Sequence, residues 1–190
     1  MPGLRIISGK AKGYHIKDVP GDSTRPITDM VKEALFNILA DDVNGATFWD
    51  LFGGTGSVGL EALSRGAKFT QFSDNNRHAI LTLRQNIATT GFVNQSRIIS
   101  ADAFMLLRQT PAQSFDYIYI APPQYKGLWK TAILALDEHP GHLVEDGWAI
   151  VQIHPKEYEE TSLMNFTLIE ERKYGNTLLL FYEKKAAVSG

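Results

Sequence analysis

The segment Thr47-Phe-Trp-Asp-Leu-Phe-Gly-Gly-Thr-Gly56 decides the fold, because an apolar strand-like run ends directly in a loop that contains three glycines. Gly53, Gly54 and Gly56 stand where the backbone must turn sharply and let a ligand approach the start of the next helix. The spacing from Gly54 to Gly59 also matches the glycine pattern of dinucleotide-binding folds. A ligand-binding loop and a tight turn that binds nothing both explain the pattern, and the loop alone does not separate them.

Alternating strand-like and helix-like runs surround this loop. The apolar periodicity predicts strands over residues 47–51, 68–73, 97–100, 116–120 and 148–153, and helices over residues 56–65, 75–90, 103–108 and 128–136. Two final strand-like runs, residues 166–171 and 177–183, are joined by a linker that is too short for a parallel crossover. We therefore expect an α/β fold with a mostly parallel sheet closed by a C-terminal antiparallel hairpin.

The composition is that of an ordinary globular protein, with 44% hydrophobic residues, 21% charged residues and a net charge of −2. That charge argues against a protein that coats nucleic acid by bulk electrostatics. The absence of cysteine excludes disulfides and cysteine-based metal sites, and the histidines have no metal-ligand spacing. No apolar run is long enough to span a bilayer, and the first residues lack the apolar segment of a secretory signal. We expect a cytoplasmic protein that requires neither a membrane nor a metal ion.

The first part of the chain differs from the alternating region. Residues 1–17 contain no acidic residue but carry four basic ones, which are Arg5, Lys10, Lys12 and Lys17. Such a cluster predicts either a local contact with nucleic acid or a solvated terminal strand. We divide the chain into a basic arm and helix over residues 1–43, a main domain over residues 44–184 and a tail over residues 185–190.

Acidic residues stand at the ends of three successive predicted strands, at Asp50, Asp74 and Asp102. In open α/β sheets, ligands bind beyond the carboxyl ends of the strands, so we expect these acids at one site. Asp50 would repel a pyrophosphate, whereas it would attract the cationic amino group of a methionine moiety. S-adenosylmethionine therefore fits the site better than NAD does. Asp74 is placed for ribose hydroxyls and Asp102 for the adenine amino group, although Asp102 is equally suited to cap a helix.

A second informative stretch, Asp116-Tyr-Ile-Tyr-Ile-Ala-Pro-Pro-Gln-Tyr125, runs from a buried-strand pattern into two prolines and an aromatic residue. The prolines restrict the backbone, and Tyr125 offers a flat face on which a flipped base could stack. Together with the glycine loop, this stretch indicates a methyltransferase. Lys126 and Trp129 are candidates for phosphate contact and base stacking, although Trp129 is also suited to packing its helix on the sheet.

Several segments occur in an order that is specific to one family. They are Arg5-Ile-Ile-Ser-Gly-Lys10, Thr24-Arg-Pro-Ile-Thr-Asp29, Val31-Lys-Glu-Ala-Leu-Phe-Asn-Ile-Leu39, residues 50–66 and Tyr174-Gly-Asn-Thr177. On these motifs the chain resembles the RsmD-type 16S ribosomal RNA guanine-N2 methyltransferases over nearly its whole length. The N-terminal segments are specific to that family, whereas many methyltransferases share the glycine loop.

The resemblance implies a Rossmann-like class I methyltransferase with S-adenosylmethionine as the methyl donor. Its implied substrate is the exocyclic N2 amine of a guanine in 16S rRNA, within a small ribosomal subunit or an assembly intermediate. The basic arm with Arg5, Lys10 and Lys12 would contact RNA phosphates, which position a substrate rather than specify it. The implied cofactor residues are Asp50, Phe52, Gly53, Gly54, Thr55, Gly56, Asp74, Asn75, Asp102 and Ala103, with Thr24, Arg25 and Pro26 over the cofactor mouth.

The catalytic motif departs from the family pattern. The family usually shows Asp-Pro-Pro-Tyr, in which an Asp or Asn oxygen and a proline carbonyl accept hydrogen bonds from the target amine while Tyr stacks on the base. Here the motif Ala121-Pro122-Pro123-Gln124-Tyr125 lacks the side-chain acceptor and has an additional residue before Tyr125. Loss of one preorganised hydrogen bond lowers rates by roughly 10²–10³-fold. We hypothesise that Gln124, or the backbone carbonyls of Ala121 and Pro122, replace the missing acceptor.

Three other functions remain open on the sequence. A non-catalytic cofactor-binding or RNA-binding assembly factor would explain Ala121. A DNA adenine-N6 methyltransferase would use the same loop, but the chain has no room for a separate target-recognition domain. A NAD-dependent oxidoreductase is allowed by the glycine spacing, and it is disfavoured by Asp50 and by the lack of a catalytic acid–base pair.

Overall fold

The computed structural model describes residues 3–21 and 26–187. The chain divides into two compact units, Met1–Asp102 and Ala103–Gly190. The division into a basic arm with its helix, a main domain and a tail stays a prediction. Within the described ranges, no helix is long and apolar enough to cross a membrane.

The first unit alternates helices with parallel strands. Its elements are α1 (Asp29–Leu39), β1 (Thr47–Asp50), α2 (Ser57–Ser64), β2 (Phe69–Asp74), α3 (Arg77–Thr90) and β3 (Ser96–Ser100), with 3₁₀ turns over Ala40–Val43 and Val93–Gln95. The strands lie in the order β3-β2-β1, and both pairs are parallel. Asp50 is in register with Phe72, and Asp74 is in register with Ser100. Both acids therefore end their strands at the same edge of the sheet.

The strands of the first unit are covered on both faces. Phe48 and Trp49 are adjacent in β1 and both are buried, although neighbouring side chains of a strand point to opposite faces. Such double burial is typical of parallel sheets with helices on each side. The Trp49 indole N–H donates to the Ser73 hydroxyl at 2.9 Å, and this hydroxyl donates to the Leu51 carbonyl at 2.7 Å. The polar groups buried with the aromatic rings are thus paired.

Helix α1 begins after Thr28, whose hydroxyl accepts the N–H of Val31 at 3.3 Å. This is the position and the geometry of an N-cap residue. The face that the helix buries includes Val31 and Phe36, but it also includes Lys32. An apolar periodicity cannot predict a buried lysine such as Lys32.

The second unit is built from four strands and two helices in the described residues. Its elements are α4 (Ala103–Arg108), β4 (Phe115–Ile120), α5 (Leu128–Glu138), β5 (Leu143–Ile153), β6 (Phe166–Tyr174) and β7 (Thr177–Lys184), with 3₁₀ turns over Pro140–His142 and Pro155–Glu157. The strand order is β4-β5-β7-β6. The pair β4–β5 is parallel, whereas β5–β7 and β7–β6 are antiparallel. The predicted C-terminal antiparallel hairpin is confirmed.

Two boundaries differ from the predicted ones. Strand β5 begins at Leu143 rather than at residue 148, because its first half contains polar residues and Asp146 has a φ of 63°. The register with β4 shifts in this region, so the strand does not show an uninterrupted apolar run. The hairpin turn is also tighter than its predicted linker over residues 172–176, since Tyr174 already pairs with Thr177. Gly175 has a φ of 57° in this two-residue turn, which a glycine adopts without strain.

The start of β6 is fixed by a buried carboxylate on α5. The two oxygens of Asp137 accept the N–H groups of Met164 at 2.9 Å and Asn165 at 2.7 Å. In return, the Asn165 amide donates to the Asp137 carbonyl at 2.8 Å. These contacts attach the C-terminal hairpin to the helix that precedes it in the chain.

Replacement of Asp137 by alanine is expected to lower the free energy of unfolding by about 3 kcal/mol, because two N–H groups lose a charged acceptor. Urea denaturation of the wild type and the variant measures this loss. Glu138→Ala is the matched control, since Glu138 is the next residue and is exposed. Equal stability of Asp137→Ala and Glu138→Ala would show that the Asp137 carboxylate does not hold the start of β6.

Candidate active site

The glycine loop leaves no room for side chains at several positions. Gly54 has a φ of 55° and Gly56 a φ of 81°, which is the left-handed region. At Gly59, on the first turn of α2, a Cβ atom would lie 2.4 Å from the Phe72 ring. Glycine is therefore required here for the approach of α2 to β2. The sequence predicted the turn between β1 and α2 from its glycines, and the role of this turn in ligand binding stays a prediction.

Backbone and carboxylate groups at the end of β2 hold the loop in place. The Gly53 N–H donates to the Ser73 carbonyl at 2.7 Å, and the Gly54 N–H donates to Asp74 Oδ2 at 3.0 Å. Asp74 Oδ1 accepts the N–H of Asn76, the N-cap residue of α3, at 2.9 Å. A carboxylate oxygen can accept two hydrogen bonds, so Asp74 keeps acceptor capacity for a ligand hydroxyl.

Asp50 is buried beneath the loop, with 2% of its surface exposed. Its Oδ2 accepts the N–H of Gly59 at 3.1 Å. Helix α2 has Gly56 at its N-cap position, which offers no side-chain acceptor, so the Asp50 carboxylate takes the role of a cap from the preceding strand.

Burial raises the pKa of Asp50 well above its usual range. The hydrogen bond from Gly59 opposes this shift, and the charge of Asp74 adds to it. Among the residues that the structure describes, no lysine, arginine or histidine forms an ion pair with Asp50. A cationic group of a ligand would therefore be favoured beside this carboxylate.

Asn86 supports the loop from α3, and the sequence analysis missed it. Its amide N–H groups donate to the carbonyls of Thr55 at 2.8 Å and Lys17 at 2.9 Å, while its Oδ1 accepts the Lys17 N–H at 2.7 Å. Asn86 is fully buried between the apolar residues Leu83 and Ile87 of its helix. A polar residue within an apolar helical stripe is a signal that could have identified it.

The basic arm is a folded structure rather than a free strand. Ile6 exchanges backbone hydrogen bonds with the segment that follows, since its N–H donates to the Tyr14 carbonyl at 3.0 Å. The arm lies against the end of α2, where the Lys10 N–H donates to the Ser64 carbonyl at 2.8 Å. A Cβ atom at Gly9 would lie 1.9 Å from this carbonyl oxygen. The side chains of Lys10 and Lys12 remain exposed.

Two buried charged residues, Lys32 on α1 and Glu61 on α2, hold the arm against these helices. Lys32 Nζ donates to the Arg5 carbonyl at 2.7 Å and to the Ser57 hydroxyl at 3.0 Å. The Glu61 carboxylate accepts the Ile7 N–H at 2.9 and 3.1 Å. Burial lowers the pKa of Lys32 and raises the pKa of Glu61, and the charge of each opposes the shift of the other. The Arg5 side chain itself lies at the surface, where its Nε contacts Asp29 at 2.9 Å.

The remaining predicted cofactor residues lie around the strand ends of their own units. Phe52 and Pro26 are half-buried, and Asn75 is exposed. Asp102 is exposed and directly precedes α4, so ligand binding and helix capping both stay open for it. Ala103 is the buried first residue of α4. Thr24 and Arg25 lie outside the described residues.

The motif after β4 forms an exposed loop in the second unit. Pro122 is buried, Ala121 and Gln124 are half-buried, and Pro123 is exposed. The Tyr125 side chain is 65% exposed, and its φ of 64° is left-handed. Such exposure leaves the ring accessible for stacking.

One predicted RNA contact is not supported by the structure. Trp129 is 1% exposed, and its ring stacks on Tyr158 with centroids 6.3 Å apart. A ring buried in this way cannot stack on a base, so Trp129 packs its helix instead. Lys126 is exposed, as its predicted phosphate contact requires. No group of three potential ligands that could hold a metal ion occurs among the described residues.

The fold and the family are established by comparison with known proteins. A solved structure of the Escherichia coli protein yhhF matches with a TM-score of 0.86 and 30% identity, covering 98% of this chain and 100% of the other. The predicted Rossmann-like class I methyltransferase fold, with its mostly parallel sheet and C-terminal antiparallel hairpin, is confirmed.

Sequence comparison then identifies the family. The family described as Conserved hypothetical protein 95 matches residues 4–183. The chain is 31% identical over 185 residues to ribosomal RNA small subunit methyltransferase D of Escherichia coli strain K12, covering 96% of this chain and 91% of the relative. It is 34% identical over 185 residues to YlbH of Bacillus subtilis strain 168, covering 96% and 100%. The chain belongs to this family, the RsmD family that its motifs resemble.

The raised pKa of Asp50 predicts how stability depends on pH. The native state keeps a proton on Asp50 at pH values where the unfolded chain, with a pKa of about 4, has lost it. The free energy of unfolding should therefore fall as pH rises from about 4 through the native pKa. Asp50→Asn cannot ionise and should show a smaller fall in urea denaturation at a series of pH values. Asp42→Asn, at an exposed aspartate of the same unit, should behave as the wild type, and an unchanged slope in Asp50→Asn would contradict the prediction.

Proposed function

We propose that this protein methylates the exocyclic N2 amine of a guanine in 16S rRNA, within a small ribosomal subunit or an assembly intermediate in the cytoplasm. Membership of the RsmD family makes the chain an rRNA methyltransferase that uses S-adenosylmethionine. The small-subunit target is supported by the name of the Escherichia coli relative. The structural observation that supports the methyl donor in this proposal is the buried Asp50 carboxylate beneath the glycine loop, which lacks a cationic partner among the described residues.

The residues of the first unit fit S-adenosylmethionine. The carboxylate of Asp50 suits the cationic amino group of the methionine part, and the loop from Gly53 to Gly56 lets that part approach the backbone closely. Asp74 has acceptor capacity left for ribose hydroxyls. S-adenosylmethionine supplies an electrophilic methyl group on a sulfonium centre.

Three further groups of residues complete the proposed cofactor site. Phe52 precedes the glycine loop, Thr55 lies within it and Asn75 follows the end of β2, and we assign them to the cofactor with the glycines. Asp102 and Ala103 are assigned to the adenine. Thr24, Arg25 and Pro26 are assigned to the mouth of the site.

The same carboxylates disfavour NAD as the ligand. A pyrophosphate carries negative charge, and the glycine loop would bring that charge close to Asp50 and Asp74. The burial that raises the pKa of Asp50 also weakens the screening of such a repulsion by solvent. An NAD-dependent oxidoreductase is therefore the weaker hypothesis.

The loop Ala121–Tyr125 is assigned to the target base. Guanine's exocyclic amine is a weak nucleophile, because its nitrogen lone pair is delocalised into the ring. An acceptor oxygen on the loop would orient the N–H groups and favour loss of a proton as the nitrogen–carbon bond forms. Ala121 has no side-chain acceptor, so we assign this role to the Gln124 carboxamide oxygen or to the backbone carbonyls of Ala121 and Pro122. The exposed ring of Tyr125 is assigned to stacking on the base.

The arm is assigned to the RNA backbone. The side chains of Lys10 and Lys12 are exposed on a segment that is fixed against α2, and Arg5 is exposed beside Asp29. Lys126 is exposed next to Tyr125 in the second unit. Basic side chains held in this way would contact phosphates and orient the substrate without selecting a sequence.

The central experiment is transfer of a labelled methyl group to small subunits from cells that lack the enzyme. The wild-type protein is expected to label one guanine at N2, and nucleoside analysis identifies the position. Stabilisation by S-adenosylhomocysteine without any transfer would instead favour the non-catalytic assembly factor that Ala121 suggests. Label on adenine N6 in DNA would overturn the RNA substrate.

Replacement of Gln124 by alanine tests the missing acceptor. If the Gln124 oxygen holds the target amine, methyl transfer should fall by roughly 10²-fold, as for loss of one preorganised hydrogen bond. Gln109→Ala, at an exposed glutamine of the same unit, is the matched control and should keep full turnover. Wild-type turnover in Gln124→Ala would remove Gln124 from the mechanism and leave the backbone carbonyls.

Thermal-shift titration tests the cofactor. S-adenosylhomocysteine at 100 times its Kd should stabilise the protein by about 2.7 kcal/mol, and NAD should not. Asp50→Asn should lose most of this stabilisation because its amide cannot pair with the ligand cation, while Asp42→Asn should keep it. Stabilisation by NAD alone would overturn the methyltransferase assignment.

A further inference from the structure

The backbone at Tyr125 adopts a conformation that needs support. Its φ of 64° lies in the left-handed region, which bulky residues other than glycine rarely adopt. Such a residue persists only where its surroundings impose the conformation, and these positions cluster at functional sites. Contacts around Tyr125 must therefore stabilise its left-handed backbone conformation.

The support comes from Glu157, in the 3₁₀ turn that follows β5. Its Oε1 accepts the Tyr125 N–H at 2.7 Å, and its Oε2 accepts the His154 N–H at 3.2 Å. The Glu157 N–H donates to the His154 carbonyl at 2.9 Å, so the backbone of Glu157 is held in the turn. Hydrogen bonds to an ionised acceptor are shorter and stronger than those between neutral groups. One side chain thus connects the loop after β4 to the end of β5.

His154 completes this arrangement. Its ring lies against the Tyr125 ring, with centroids 5.4 Å apart and an angle of 41° between the planes. Its Nδ1 accepts the Lys156 N–H at 3.1 Å, which fixes the orientation of the imidazole. The His154 ring therefore limits the positions that the Tyr125 ring can take, although most of the Tyr125 surface stays exposed.

We infer that Glu157, together with His154, is a positioning residue that holds Tyr125 for the target base. This inference rests on the proposed function, in which Tyr125 stacks on the guanine. Without the Glu157 carboxylate, the Tyr125 N–H loses its acceptor, and the backbone can relax from the left-handed region. Such a relaxation would change the direction of the Tyr125 side chain. The ring would then have to be ordered again each time RNA binds.

The first test compares Glu157→Ala, Glu157→Gln and Glu159→Ala in methyl transfer to small subunits. Glu157→Ala is expected to raise KM for the small subunit by at least about tenfold, since small misplacements of positioning groups are costly. Glu157→Gln keeps a carbonyl oxygen for the Tyr125 N–H and should restore KM to within about threefold of the wild type. Glu159 lies in the same segment and contacts Lys130 Nζ at 2.9 Å instead of the loop, so Glu159→Ala is the matched control. Stabilisation by S-adenosylhomocysteine should be unchanged in all three variants.

The second test is a double-mutant cycle with Tyr125→Gly. Glycine adopts the left-handed conformation without strain and carries no ring, so it removes what Glu157 would position. Glu157→Ala should then have less than about a twofold effect on KM in the Tyr125→Gly background. Amide hydrogen exchange of residues 121–126 gives a readout without RNA, and the exchange should be faster in Glu157→Ala than in the wild type or Glu159→Ala.

These outcomes separate the inference from the function on which it rests. A wild-type enzyme that transfers no methyl group overturns the proposed function, and the positioning role falls with it. An active wild type, with Glu157→Ala unchanged in KM and in exchange, overturns the positioning role alone. An equal loss from Glu157→Ala in both backgrounds also overturns it, since Glu157 would then act independently of Tyr125. Coupled loss, with rescue by Glu157→Gln, supports it.

Discussion

The buried carboxylate of Asp50 is the constraint on which the first unit depends. It receives the Gly59 N–H and so sets where α2 begins, but it lacks a cationic partner among the described residues. Burial of a carboxylate is costly, and a single hydrogen bond offsets only part of that cost. Local violations of good packing rules are typical of functional sites. In this protein the unpaired carboxylate of Asp50 is buried at the place where a positively charged ligand would offset the cost of burial.

The N-terminal extension supports the same loop from the other side. Asn86 joins the backbone of Lys17 to the carbonyl of Thr55, and Lys32 joins the arm to Ser57 at the start of α2. The loop is thus held by the strand end, by two helices and by the extension. This arrangement explains why the extension belongs to the first compact unit, although its composition differs from that of the alternating region.

The sequence predicted the order of strands and helices well, because buried strands and amphipathic helices have periods that are visible in a single chain. It predicted the start of β5 poorly, since the left-handed Asp146 and its polar neighbours interrupt the apolar run. The glycines and acids could be placed at one edge of the sheet because they stand at the ends of predicted strands, and their role in binding stays a prediction. Glu157 and Asn86 were missed, since their partners lie 32 and 31 residues away and only folding brings them together. Trp129 was assigned to RNA because the sequence does not show whether an aromatic residue near a motif is exposed or buried.

The close packing of Gly9 against Ser64 affects the free energy with which a partner binds the basic arm. A flexible basic tail loses conformational entropy when it binds, at a cost of roughly 1–2 kcal/mol for each residue whose backbone becomes fixed. The arm has already lost that entropy during folding, since the N–H groups of Lys10 and Ala11 are bound to Ser64 of α2. A partner that contacts Lys10 and Lys12 therefore binds a surface that is already ordered. The affinity of that partner depends on charge and geometry rather than on coupled folding.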